Sequence, residues 1–259
     1  MHDRPAAGTR VSITGVRRSF DNGVVALDNI TLDVSSGEFL AVLGPSGSGK
    51  STLLRLIAGL DRPQAGDVRV HMPPDGRRGY GWDIAYVFQD AHLLPWRTVL
   101  HNVALPLELM HHPRHHRLPL ARAAIDQVGL SDAITRYPAQ LSGGMRMRAS
   151  LARALVTDPS LFLLDEPFAA LDEITRHRLD EQLRDLWSRR PMTVIFVTHS
   201  INEAVFLADR AVVLSRRPAR VLLDRRIDLP PQRTQELRTS AEFARHAHAL
   251  HVALREEEP

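Results

Sequence analysis

Apolar positions in this chain fall into short blocks whose spacing separates strands from helices. Val11–Val16 and Ile30–Val34 alternate or cluster β-branched residues, and Gly37 turns the chain into Glu38–Leu43, an apolar run suited to a buried strand. A glycine-rich turn follows, then Ser51–Ala58 carries apolar residues at helical spacing and is closed by Gly59. Ile84–Phe88, Leu161–Asp165, Val194–Thr198 and Ala211–Leu214 are further strand candidates, with helical patterns at Glu173–Arg189 and Asn202–Ala208. Strands alternating with helices predict an α/β fold whose mainly parallel sheet is covered on both faces. From about Ala91 to Leu155 the pattern changes. It shows no strand and reads as helices broken at Pro106, Pro113, Pro119 and Pro138, which predicts an inserted helical lobe. From Ser240 the chain reads as a charged amphipathic helix ending in Glu256–Glu258, a solvated face.

Length and composition narrow the options. The 259 residues suit one large domain, or a core with a lobe inserted in it, and 44% hydrophobic with 24% charged residues excludes global disorder. Cysteine is absent, which removes thiolate catalysis, cysteine-based zinc sites and iron–sulfur clusters, and suits a reducing compartment. The longest apolar runs fall far short of the roughly 18 residues of a membrane span, and the start, Met1 to Pro5, lacks the apolar core of a signal peptide. A formal charge of +3, with arginine and acidic residues interspersed, gives no strong field for a phosphodiester backbone. Lys50 is the only lysine, and its position is informative.

Gly44-Pro45-Ser46-Gly47-Ser48-Gly49-Lys50-Ser51, followed by Thr52, fits G-x-x-x-x-G-K-[ST] between a predicted strand and a predicted helix. The glycines let backbone N–H groups turn toward phosphate oxygens, and the helix N-terminus adds its positive dipole end. In such a loop the lysine reaches the β- and γ-phosphates and the hydroxyl of Ser51 takes Mg²⁺. Leu161-Phe162-Leu163-Leu164-Asp165-Glu166 is an apolar strand ending in two carboxylates, delivered where parallel sheets bind ligands. Asp165 would hold Mg²⁺ and Glu166 would polarise the attacking water. An acidic pair after a strand is weak alone, since it can simply cap a helix, and gains force beside the phosphate loop.

Leu141-Ser142-Gly143-Gly144-Met145 identifies the machine. With it the chain resembles the ATP-binding subunits of ABC transporters, whose signature Leu-Ser-Gly-Gly-Gln precedes a helix ahead of the acidic strand. The resemblance spans about Val11 to Arg220. It implies a P-loop NTPase core (about 1–90 and 156–225), an antiparallel β subdomain, a helical lobe (about 91–155) and a helical tail (about 226–259). It further implies that Phe20 stacks on adenine, Val25 packs the ribose, and Gln89 touches Mg²⁺ and the attacking water. Ser142, Gly143 and Gly144 would face the ATP of a second subunit, Asp172 in Ala170-Leu171-Asp172 would lie at that interface, and His199 would contact the γ-phosphate. The implied partners are a second ATP-binding subunit, two permease subunits and, indirectly, a periplasmic or lipid-anchored solute-binding protein. The implied location is the cytoplasmic face of the inner membrane.

The chain departs from the family pattern at Met145, at Met147, where relatives often have a second glutamine, and at Ser200, where Asp is common. Met145 is familiar in the nitrate, sulfonate and taurine importer branch. Leu93 to Val99 and Phe206 to Arg210 also resemble that branch, and Tyr137 to Gln140 resembles the importer form in general. A GTPase would need a second lysine for its guanine motif, and a small-molecule kinase has no use for Ser142–Gly144. A soluble ABC ATPase linked to nucleic acid, in repair or translation, is the alternative to a transport subunit. His111-His112-Pro113-Arg114-His115-His116 reads as an exposed loop, with Pro113 preventing an i, i+4 pair of histidines on one helical face.

Overall fold

The computed structural model describes residues 8–72, 83–169, 171–190 and 192–255. In chain order the first half holds β1 (Arg10–Ser19), β2 (Val25–Val34), β3 (Phe39–Leu43), α1 (Lys50–Ile57), β4 (Ala65–His71), β5 (Ile84–Val87), α2 (Val99–Val103), α3 (Leu105–Leu109) and α4 (Arg114–Gln127). The second half holds α5 (Gly143–Leu155), β6 (Leu161–Asp165), α6 (Glu173–Arg189), β7 (Thr193–Val197), α7 (Ile201–Leu207), β8 (Arg210–Leu214), β9 (Val221–Arg226) and α8 (Ala241–Arg255). The main sheet has the order β5-β6-β7-β3-β8-β9 and is parallel except for β9. A separate antiparallel sheet has the order β2-β1-β4.

Why the inner strands read as unbroken apolar runs is visible in their two faces. Phe39, Ala41 and Leu43 point into one hydrophobic cluster with Phe162, Leu164, Phe196, and the buried faces of α5, α6 and α7. Leu40 and Val42 point the other way, into a cluster with Leu161, Leu163, Ile195, the α1 leucines and the antiparallel sheet. Each strand is buried on both sides, so alternation disappears. The second face is therefore covered by α1 together with a β layer.

The pattern missed β4 and β9, because each lies at a sheet edge and carries polar residues at alternate exposed positions. Among the predicted helix breaks, Pro113 is the N-cap of α4 and Pro106 opens α3, but Pro119 lies inside α4 and does not end it. Buried Ala121, Ala124 and Ile125 hold that helix against its neighbours, which outweighs the one backbone hydrogen bond that proline removes. The histidine stretch is only partly a loop, since His115 and His116 lie in the first turn of α4 and the His112 and His116 rings lie 5.4 Å apart, tilted by 34°. The C-terminal helix is also more than a solvated face: Phe243 and Leu250 are buried, and α8 packs on α7, β8 and β9. Met1 to Pro5 and Glu256–Glu258 lie outside the described residues.

Candidate functional site

Parallel strands β3, β6 and β7 end side by side, and their C-terminal ends carry the chemistry. The Gly44–Ser51 turn joins β3 to α1, whose N-cap, Gly49, gives no side-chain cap to the first helical N–H groups. Gly49 sits at φ +94°, and a Cβ there would stand 2.8 Å from Leu27 Cδ2 and 3.0 Å from the Ala26 carbonyl, so only glycine fits. This close approach sets β2 of the antiparallel sheet directly against the phosphate loop.

Within the loop, Lys50 is 4% exposed and donates to the carbonyls of Gly44 at 2.8 Å and Pro45 at 2.9 Å. Its ammonium lies 3.7 Å from Glu166 Oε1. Burial pushes the Lys50 pKa down, and the carboxylates of Glu166 and Asp165 oppose that shift. Ser48 Oγ is buried and has no hydrogen-bond partner among the described residues. A buried hydroxyl without a partner, beside uncapped helical N–H groups and an ammonium, is a donor set that an anionic phosphate satisfies.

From β6, Asp165 accepts the Ser51 hydroxyl at Oδ1 (2.8 Å) and the Tyr86 hydroxyl at Oδ2 (2.9 Å). Burial and the Asp165 charge together push the Tyr86 phenol well above its ordinary range, so it stays a donor. Glu166 follows with φ +47°, the left-handed region, held by its N–H on the Val197 carbonyl at 2.9 Å. That turn aims its carboxylate at His199, whose Nδ1 lies 3.1 Å from Glu166 Oε2. Ser51 and Asp165 present adjacent oxygens, the donor chemistry a hard divalent cation takes.

The structure thus brings together Gly44–Ser51, Asp165, Glu166 and His199. Among the described residues, no side-chain hydrogen bond joins the other expected residues to that group. Gln89 is exposed two residues beyond β5, Phe20 is exposed between β1 and β2 with Arg18 5.8 Å over its ring, and Val25 is half-buried at the start of β2. Thr52 is half-buried within α1. Ser142 caps α5, accepting the Met145 N–H at 3.3 Å, and Gly144 packs so closely that a Cβ would lie 2.9 Å from Thr175 Cγ2. Asp172 caps α6, and the Thr175 N–H it accepts holds its carboxyl below the usual range. Among the described residues no hydrogen bond joins Ser142–Gly144 to the chain's own phosphate loop. Ala170 lies outside the described residues.

Two contacts at the site were missed. Tyr86 was in view beside Gln89, but only its place on β5, next to β6, gives it a role. Arg217 Nε donates to the Gly47 carbonyl, a pairing between residues too distant in sequence for any local signal. Met147 is buried in the core with α5's apolar face, so it is a packing residue rather than part of an interface. No cluster of three or more metal-ligating side chains occurs among the described residues.

A parallel sheet ending in this loop, acidic pair and histidine defines a P-loop nucleoside triphosphatase. The family profile "ABC transporter" matches residues 27–169, and the chain belongs to that family. It is 51% identical over 225 residues to the aliphatic sulfonates import ATP-binding protein SsuB of Mycobacterium sp. (strain MCS), covering 87% of this chain and 86% of that one. It is 42% identical over 256 residues to the nitrate import ATP-binding protein NrtD of Synechocystis sp., covering 95% of each. Among solved structures, the dimeric cassette MJ0796 of a bacterial ABC transporter superposes with a TM-score of 0.73 at 32% identity, covering 85% of this chain and all of that one. These similarities bear out the nitrate and sulfonate importer branch. The protein is an ATP-hydrolysing transport subunit, and the nucleic-acid-linked alternative falls away. No helix among the described residues is long and apolar enough to cross a membrane.

Proposed function

We propose that this chain powers solute import through a membrane permease of the nitrate, sulfonate and taurine type, working as a head-to-tail dimer. The observation that carries the dimer is that, among the described residues, the signature makes no hydrogen bond to its own phosphate loop. The phosphate loop, Asp165, Glu166 and His199 converge at one sheet edge, while Ser142–Gly144 form a second helix N-terminus packed against their own Thr175. Facing the loop of another subunit, that signature would supply N–H groups and a hydroxyl to the partner's ATP. Asp172 begins the helix beside it, where Ile174 is 79% exposed.

In this reading Phe20 stacks on the adenine, Val25 packs the ribose, and Lys50, Ser48 and the loop N–H groups hold the phosphates. Thr52 extends the helix that carries this loop. Ser51, Asp165 and Gln89 would hold Mg²⁺, which when bound neutralises charge on the β- and γ-phosphates. Glu166 orients the attacking water and takes its proton, and His199 donates toward the γ-phosphate. The helical lobe (about 91–155) carries the signature, and the core (about 1–90 and 156–225) carries the loop. The tail (about 226–259) buttresses the core.

Trp96 supports the permease contact. It is 71% exposed on the segment that enters the lobe, where it lines an open groove of about 360 Å³ with Arg97, Glu108, Arg117, Leu118 and Tyr137. An exposed aromatic in a groove rimmed by charged residues suits a short amphipathic helix of a permease. The solute-binding protein and the cytoplasmic face of the inner membrane follow from importer architecture and belong to the same proposal.

The decisive experiment is Glu166→Gln. Turnover should fall by about 10²–10⁴, ATP affinity should persist, and an ATP-dependent dimer should appear by size-exclusion chromatography. Turnover near the wild-type rate removes Glu166 as the base, and a strictly monomeric ATP complex removes the dimer.

A further inference from the structure

The residues on either side of His199 are joined through one hydroxyl. The Ser200 N–H donates to Thr198 Oγ1 at 2.9 Å, and the Thr198 hydroxyl in turn donates to Glu203 Oε2. Ser200 is the N-cap of α7 and accepts the Glu203 N–H at 3.3 Å. In an ordinary capping box the glutamate would accept the N-cap N–H directly. Here the Thr198 hydroxyl is inserted, so the carboxylate holds Thr198 directly and reaches the Ser200 N–H only through that hydroxyl.

The other oxygen of Glu203 faces a second element. Arg176 Nε lies 3.4 Å from Glu203 Oε1, and the Arg176 terminal nitrogen donates to the Leu171 carbonyl at 2.8 Å. Leu171 immediately precedes Asp172, the N-cap of α6, and its side chain lies against Gly143. Glu203 is 4% exposed, and a carboxylate so placed costs stability unless it serves something or is well paired. Asp180 is not its counter-charge, being itself a buried carboxylate paired with Arg238 at 2.7 Å.

We infer that Arg176 and Glu203 are positioning residues for ATP hydrolysis, an ion pair tying the Leu171–Asp172 segment to Thr198, the residue before His199, whose hydroxyl also takes the Ser200 N–H after it. The inference rests on the reading of His199 as a group acting on the γ-phosphate. Neither residue touches the phosphate loop. Their effect is to make the place of His199 depend on the place of the segment beside the signature.

A double-mutant cycle on the full-length chain tests this. Arg176→Lys keeps the cation but cannot span both acceptors, and Glu203→Gln keeps shape while removing charge. Each should lower kcat for ATP about tenfold and leave KM within about twofold, the pattern of a lost transition-state interaction. Combined with His199→Ala and read by single-turnover hydrolysis, neither should add to the loss from His199→Ala alone. Additive losses, or a lowered melting temperature with unchanged kcat, overturn the bridge and leave a packing role. If Glu203→Gln does not fold by circular dichroism, Arg176→Lys carries the same cycle. Unaltered turnover in His199→Ala alone defeats the reading of His199 instead, an outcome separable from the others.

Discussion

Ser200 shows how one residue can depart from a family pattern and keep its physical task. An aspartate there would accept a helical N–H, and the serine hydroxyl accepts the Glu203 N–H in the same way. Ser200→Ala should therefore cost about 1 kcal/mol of stability, while Ser200→Asp should match the wild type in a denaturant titration. Equal stability of all three would mean the cap contributes nothing. Glu166 makes a different point. Its φ of +47° is uncommon for a residue with a side chain, and the sequence signals only that a carboxylate follows Asp165. The direction in which that carboxylate points is set by the Val197 carbonyl, on a strand that pairs with β6 only in the folded chain.

At the scale of elements, the link between α6 and the C-terminal segment rests on charge. Asp180 on α6 is fully buried, pairs with Arg238 at 2.7 Å, and lies near the buried Glu203. Arg238 stacks on Phe206 of α7 at 3.9 Å. Burial, and secondarily the Glu203 charge, raise the Asp180 carboxyl to about 7. A raised folded-state value means the native chain keeps a proton that the unfolded chain has already lost. Its contribution to stability therefore declines as pH rises toward that value, and the full cost stands above it. Asp180→Asn cannot titrate and still reaches Arg238. Its melting temperature relative to wild type should rise between roughly pH 5 and pH 8. A constant difference across that range would show that Asp180 does not titrate there.

For the whole molecule, the proposed composite site makes mixing experiments informative. Ser142→Arg and Lys50→Ala should each abolish turnover as homodimers. A mixed dimer then pairs the intact loop of the Ser142→Arg subunit with the intact signature of the Lys50→Ala subunit, leaving one complete site. Partial ATPase recovery on mixing supports assembly in trans, and no recovery over a range of ratios argues for sites closed within one chain. Trp96→Ala addresses the permease. Because the indole is largely exposed, its removal should leave folding and ATP affinity unchanged. Truncating an aromatic anchor should weaken permease association by roughly 2 kcal/mol or more, measurable by co-purification and transport. Undiminished association would move the coupling surface elsewhere.

What the sequence determined by itself are the features whose physics is local. Gly44–Ser51 specifies a turn and a helix start within eight consecutive positions, and Leu161–Glu166 carries its burial and its carboxylates on one strand. Strands buried on both faces announce themselves as apolar runs, so β3, β6 and β7 were legible, while the edge strands β4 and β9 were not. Pro119 misled because a proline's local cost was compensated by the packing of Ala121, Ala124 and Ile125. Only the tertiary structure decided that Tyr86 reaches Asp165, that Arg217 reaches the phosphate loop, and that Arg176 meets Glu203. These contacts depend on strand order and helix docking, and neither is encoded in the spacing of residues along a single element. The signature stands between the two cases: its residues are plain in the sequence, but its packing at the start of α5 against Leu171 and Thr175 is a property of the fold.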